Sequence, residues 1–91
     1  MSVCRVLLVD DHALVRAGIR ALLESLPRVD VVGETGDGLA AVQLATELEP
    51  DVVLLDITLP GLNGLEVATR IVRLGSRTRV LMLSMHASPE Y

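Results

Sequence analysis

One short stretch constrains the fold of this chain more than any other. Four aliphatic residues, 52–55, run directly into Asp56, and a loop containing Pro60 and Gly61 follows. An unbroken apolar run bounded by turn residues is typical of a central parallel strand, because helices cover both of its faces. We therefore predict a buried strand that places Asp56 at its carboxyl end, the edge of an open α/β sheet where ligands bind.

A second apolar run, residues 6–9, ends in the same way, in Asp10 and Asp11. A single acid after a strand is equally well explained by the turn-forming habit of Asp. Two strands that bring three carboxylates to one edge need a further reason, because like charges repel. A divalent cation with oxygen ligands relieves that repulsion, and Mg²⁺ is the usual ion where phosphate is handled. The pattern predicts a Mg²⁺ site at Asp10, Asp11 and Asp56.

Size and composition exclude several classes of protein. Ninety-one residues, 51% of them hydrophobic, predict a single domain over residues 1–91 with an aliphatic core, since Phe and Trp are absent. The net charge of −4 and the scattered basic residues argue against direct nucleic-acid binding. Neither a membrane-length apolar run nor a signal-peptide pattern occurs, and the single cysteine, Cys4, suits a reduced compartment. We expect a cytoplasmic protein.

Strand and helix patterns alternate along the chain, which predicts a parallel α/β sheet with right-handed crossovers. The apolar runs and their boundaries predict four strands, at 3–9, 29–34, 51–56 and 79–84, and three helices, at 12–26, 39–48 and 63–74. Asp37 and Asn63 are the predicted helix caps, and Gly75 is the predicted stop of the third helix.

The apolar spacing also predicts which side of each helix faces the sheet. The inward residues should be Val15, Ile19, Leu22 and Leu26 in the first helix, Ala41, Leu44, Ala45 and Leu48 in the second, and Leu65, Ala68 and Val72 in the third. Arg16, Arg20 and Glu24 are expected on the solvent side of the first helix. His12 is expected to be a solvated helix-start residue, because Mg²⁺ prefers oxygen ligands.

The end of the sequence looks like the start of another helix. Ser88 is a suitable cap, Pro89 suits the first helical position, and Glu90 suits the first turn. The chain ends one residue later, so we expect a fragment or a naturally shortened protein.

Together these segments resemble the receiver domain of bacterial two-component response regulators, most closely the NarL/FixJ type. The resemblance covers the whole chain and rests on residues 6–12, 31–34, 50–57, 80–86 and the glycines of the intervening loop. It implies a flavodoxin-like, three-layer α/β fold with strand order 2-1-3-4-5. Compared with that family, we expect the chain to be truncated after the fourth strand, without the last helix–strand–helix portion and without an output domain.

The resemblance also implies a role for each site residue. Asp56 would be the phosphoacceptor, taking a phosphoryl group from a sensor histidine kinase or a small phosphodonor. Asp10, Asp11 and Asp56 would hold Mg²⁺ together with the backbone carbonyl of Thr58. Ser84 would be the switch hydroxyl that turns toward the phosphoryl group. Such a domain is not an enzyme in the usual sense, since at most it catalyses its own phosphorylation and dephosphorylation; no organic cofactor is implied.

The sequence departs from the family in its basic residues, because all eight are arginines and the family's phosphate-binding lysine has no counterpart. A receiver-derived module that only self-associates is therefore an alternative. A phosphohydrolase of the haloacid-dehalogenase type is less favoured, because it needs a second acid two residues after its nucleophile, where Thr58 stands. A nucleotide-binding flavodoxin-like domain is disfavoured because the acidic pair would repel phosphates.

In the implied strand order the fourth strand lies at an edge, although its residues 80–83 are all apolar. Unpaired edges are templates for strand pairing, and uncovered apolar faces favour association. We therefore expect a homodimer or higher oligomer through the fourth strand and the exposed face of the sheet.

Overall fold

Strands and helices alternate in the computed structural model, which describes residues 3–56, 64–75 and 77–83. The four strands are β1 (Cys4–Val9), β2 (Val29–Thr35), β3 (Val52–Asp56) and β4 (Arg79–Leu83). The three helices are α1 (Ala13–Glu24), α2 (Gly38–Leu48) and α3 (Gly64–Arg73). Each lies within three residues of its predicted bounds. None of the helices in these ranges is both long and apolar enough to cross a membrane.

All four strands are parallel and form one sheet in the order β2-β1-β3-β4. This confirms the flavodoxin-like α/β class and the order of the first four strands. The two central strands, β1 and β3, pair with Val9 opposite Leu55. The residues that follow, Asp10 and Asp56, therefore leave the sheet side by side at its carboxyl edge.

The main core lies between the sheet and helices α2 and α3. Alternate residues of the central strands point to this side, where they meet the small residues of α2. The side chains of this core are Leu7, Val9, Ala41, Ala45, Val53, Leu55, Val67 and Ile71. The predicted inward face of α2 is confirmed, since Leu44 and Leu48 pack against the same cluster.

The predicted inward face of α3 is wrong at two positions. Leu65 and Val72 are each 64% exposed, whereas Val67 and Ile71 are fully buried. The predicted stripe of Leu65, Ala68 and Val72 and the observed stripe of Val67 and Ile71 lie next to each other on this helix, and Ala68 borders both. The stripe that packs against the sheet begins at Gly64, which is also buried.

The inward face of α1 also differs from the prediction. Leu22 is 71% exposed and Leu26 is 49% exposed. Leu23 replaces Leu22 as the half-buried residue that continues the stripe of Val15 and Ile19, each four residues after the last. This rotates the helix so that its arginines turn from the expected solvent side toward β2.

The ends of the helices follow the predicted local chemistry. Asp37 caps α2 by accepting a hydrogen bond from the backbone N–H of Ala40 at 2.9 Å. Gly75 follows α3 with a φ of 73°, which confirms it as the stop. At the end of α2, however, Glu49 adopts a left-handed conformation with φ 46° and ψ 58°. A residue with a Cβ adopts this conformation at a cost of roughly 1–2 kcal/mol.

Replacing Glu49 by glycine should therefore raise the free energy of unfolding, by about 1 kcal/mol. The gain has two sources, because the substitution removes the steric strain and also removes a negative charge from the carboxyl end of a helix. Urea unfolding measures the change. Glu47→Gly, two residues earlier and within the helix, is the matched control and should lower stability by about 1 kcal/mol. A fall in stability for both variants would contradict the prediction.

Candidate metal site

Three carboxylates converge at the carboxyl edge of the sheet, as the sequence predicts. Asp10 follows β1 and Asp56 ends β3, and both residues are only 1% exposed. The side chain of Asp11, next in the loop, is 29% exposed. One ligand atom from each of these residues and from His12 lies within 4.8 Å of all the others. The geometry is that of a compact, acidic, mainly oxygen-lined site.

The buried carboxylate of Asp10 is only partly satisfied by the protein. Its Oδ1 accepts a hydrogen bond from the backbone N–H of His12 at 2.8 Å. Its Oδ2 is buried and has no hydrogen-bond partner among the described residues. A buried carboxylate oxygen without a partner is costly. A hard cation would compensate it, and carboxylate oxygens are the ligands that Mg²⁺ takes in proteins.

His12 is not simply the solvated residue that the sequence predicts. Its side chain is 55% exposed, but Nδ1 lies 3.1 Å from Asp10 Oδ1, 3.1 Å from Asp11 Oδ1 and 3.4 Å from Asp56 Oδ2. The hydrogen bond to Asp10, followed by the charge of Asp11, raises the pKa of the imidazole above 6.5. When protonated, the ring adds a positive charge among the three acids. Its position directly after the acidic pair is the signal that could have indicated this contact.

Three residues of the predicted site or its surroundings lie outside the described residues. They are the carbonyl donor Thr58, the switch hydroxyl Ser84 and the helix cap Asn63. The chain end from residue 84, including the helix start at Ser88, also lies outside them. The predictions for these residues therefore stay predictions.

Comparison with known families identifies the family of this chain. The family model for the response regulator receiver domain matches residues 6–91. The chain belongs to the receiver domain family of response regulators. This confirms the resemblance read from the sequence, and it favours a signalling module over a phosphohydrolase. Receiver domains are signalling modules rather than classical enzymes.

Curated relatives and solved structures agree with this assignment. The chain is 45% identical over 80 residues to the transcriptional regulatory protein LiaR of Bacillus subtilis, covering 88% of this chain and 38% of LiaR. It is 47% identical over 81 residues to the response regulator UvrY of Escherichia coli, covering 89% of this chain and 37% of UvrY. The chain thus spans well under half the length of these relatives.

Among solved structures, the receiver domain resembles the signal receiver domain of the response regulator NarL from Mycobacterium tuberculosis. The TM-score is 0.90 at 41% identity, and the match covers 99% of this chain and 73% of that one. The response regulator domain of Thermotoga maritima CheB gives a TM-score of 0.86 at 44% identity, covering 96% of this chain and 64% of that one.

The contacts of His12 predict a pH dependence for the metal-free receiver domain. Because the pKa of His12 is raised in the folded state, its protonation stabilises the fold. That stabilisation is complete below the unfolded pKa of 6.5 and is lost as the pH rises through the folded value. In EDTA and mild acid, the melting temperature of the wild type should therefore be higher than that of His12→Gln. The difference between the two melting temperatures should become smaller in mild alkali.

A difference in melting temperature that stays constant with pH would contradict the stabilising role of the protonated His12. As a control, Asp11→Asn removes one of the neighbouring charges without altering the ring. NMR titration of the His12 ring in that variant should show a pKa below the wild-type value.

Proposed function

We propose that this receiver domain accepts a phosphoryl group on Asp56 from a sensor histidine kinase or a small phosphodonor. The observation that carries the proposal is the position of Asp56, which is buried at the end of β3 beside Asp10 and 3.4 Å from the His12 ring. Family membership supplies the chemistry, because receiver domains are phosphorylated by sensor histidine kinases. That such a kinase acts on this chain is itself part of the proposal.

In the proposed reaction, a carboxylate oxygen of Asp56 attacks the phosphorus atom of the donor. The new bond is an acyl phosphate O–P bond, and the bond from phosphorus to the donor nitrogen or oxygen breaks, its electron pair leaving with the donor. The transferred group is anionic and arrives among three carboxylates. Repulsion would oppose its approach without a cation.

We propose that Asp10, Asp11 and Asp56 hold Mg²⁺ for this step, with the backbone carbonyl of Thr58 as a further oxygen ligand. When bound, Mg²⁺ neutralises developing negative charge and orients the transferring group. The buried Oδ2 of Asp10 supports this proposal, because a bound cation would supply the partner that this oxygen lacks among the described residues. Ser84 is the proposed hydroxyl that turns toward the phosphoryl group.

The output of the switch is also a proposal. Because LiaR is named a transcriptional regulatory protein, we propose that this domain controls transcription through a DNA-binding unit in the cytoplasm. The 91 residues carry a net charge of −4, which does not favour direct contact with nucleic acid.

Phosphorylation should depend on Mg²⁺ and be confined to Asp56. Incubation with acetyl phosphate and Mg²⁺ should add one phosphoryl group to the wild type, detected by intact mass, and none with EDTA. Labelling of these 91 residues should be weaker than in a receiver domain that has the family's phosphate-binding lysine, because they contain no lysine.

Asp56→Asn and Asp51→Asn provide a matched pair, since both acids belong to the same stretch but Asp51 precedes β3 at the opposite edge. Asp51→Asn should label like the wild type. Adduct on Asp56→Asn would falsify the assignment.

A second proposal, self-association, rests on the exposed side of the β4 strand. Within the described ranges, β4 pairs with β3 alone. On the face shared with α1, Leu8 is fully buried, whereas Leu81 in β4 is 54% exposed. Helix α1 lies over β1 and β2 and leaves this end of the sheet less covered. We propose that a second copy of the chain pairs with the open edge and covers Leu81, forming a symmetric dimer.

Light scattering after size exclusion should therefore give a dimer or larger species at about 100 µM. Leu81→Lys places a charge on the proposed interface and should yield the monomer. Leu65→Lys, which alters a leucine on α3 that is even more exposed than Leu81, is the control and should keep the dimer. A well-folded wild-type monomer at that concentration would rule out the proposed assembly.

A further inference from the structure

Arg16 lies directly behind the acidic pair, although its place in the sequence predicts a solvated side chain. Only 22% of the side chain is exposed. Its Nη1 donates a hydrogen bond to the backbone carbonyl of Asp10 at 2.7 Å, and its Nε donates to Glu34 Oε1 at 3.3 Å. The guanidinium thus links α1, the loop after β1 and the end of β2.

The backbone at Gly36 encloses the same guanidinium. A Cβ at this position would lie 2.9 Å from Arg16 Nη1, 3.2 Å from Asp11 Cα and 3.4 Å from the Asp10 carbonyl oxygen. A methyl group there would press on both the arginine and the acidic loop. The absence of a side chain at Gly36 therefore allows the arginine and the loop to pack together.

The carbonyl that Arg16 holds belongs to the peptide bond between Asp10 and Asp11. That peptide is planar, so fixing its carbonyl sets the backbone direction on both sides. The N–H of Asp10 is fixed as well, because it donates to the carbonyl of Thr35 at 3.0 Å. With both peptide groups of Asp10 held, the direction of its Cα–Cβ bond is set before any cation binds, and the peptide group that leads into Asp11 is held with it.

We propose that Arg16 is a positioning residue for the divalent cation of the acidic site. By holding the Asp10 carbonyl, it keeps the carboxylates of Asp10 and Asp11 in the arrangement that binds the metal. The inference rests on the proposed function, because it takes that site to bind a divalent cation. It extends the site to residues that are not ligands, namely Arg16, its partner Glu34 and the space at Gly36.

Arg20 provides the control that separates positioning from charge. It lies one turn further along α1 and also pairs with Glu34, but among the described contacts its partners are Glu34 and Glu24 only. Replacing either arginine by glutamine removes one positive charge near the acids. If charge alone mattered, either variant should bind a divalent cation slightly more tightly than the wild type. Loss of positioning has the opposite sign and is expected only for Arg16.

The experiment measures Mn²⁺ binding to the metal-free chain by electron paramagnetic resonance, with no phosphodonor present. Arg16→Gln should weaken Mn²⁺ binding about tenfold, as removal of groups that orient metal ligands does. Arg20→Gln should stay within about twofold of wild type, since its charge effect is partly screened by solvent. Arg16→Lys should recover part of the affinity, because an ammonium group can reach the carbonyl but lacks the second arm for Glu34.

Gly36→Ala tests the same idea while keeping every charge, and it should weaken Mn²⁺ binding in the same direction as Arg16→Gln. Circular dichroism in EDTA identifies the variants that are folded, and if Arg16→Gln is not, Gly36→Ala and Arg16→Lys decide. Equal affinities for wild type, Arg16→Gln and Gly36→Ala would overturn the positioning role while leaving the proposed function intact. Failure of the wild type itself to bind Mn²⁺ would overturn the proposed function and this inference with it.

Discussion

The placement of two buried carboxylates side by side is the constraint on which the rest of the site depends. Asp10 and Asp56 leave adjacent strands at matching positions, and each is 1% exposed. Like charges at this spacing repel, and burial removes the water that would screen them. Positive and polar groups around the acids reduce this repulsion. They are the imidazole of His12, the backbone N–H of His12, and Arg16 behind the loop.

Helix α1 serves the site as much as the core. None of its residues is fully buried, and its sheet-facing side carries two arginines next to a narrow apolar stripe. Both arginines pair with Glu34 at the end of β2, and this pairing lowers the pKa of the Glu34 carboxyl below 4.5. The helix is thus tied by charge to the strand end beside the acids. The opposite face of the sheet is built differently, since α2 and α3 cover it with a cluster of aliphatic side chains.

The asymmetry between the two faces connects the fold to its proposed association. On the face of α2 and α3, even the edge strand contributes Val80 and Met82 to the core. On the face of α1, cover decreases from Leu8 in β1 to Leu81 in β4. The sheet is therefore well covered on the face of α2 and α3, whereas the face of α1 is less covered near β4. A second copy of the chain can associate near β4 without disturbing the acidic edge of the sheet.

The sequence by itself determined the α/β class, the strand order through its family resemblance, and the meeting of Asp10, Asp11 and Asp56. The α/β class and the meeting of the three acids follow from continuous apolar runs that end in acids, a pattern that depends only on local order along the chain. Only the tertiary structure decided which of two overlapping apolar stripes faces inward on α1 and α3. It also brought His12 and Arg16 to the acids. The physical reason is that the rotation of a helix is set by its partners across the interface, which are Glu34 and the Asp10 carbonyl for α1 and the aliphatic cluster for α3. The periodicity of the helix itself contains no information about these partners.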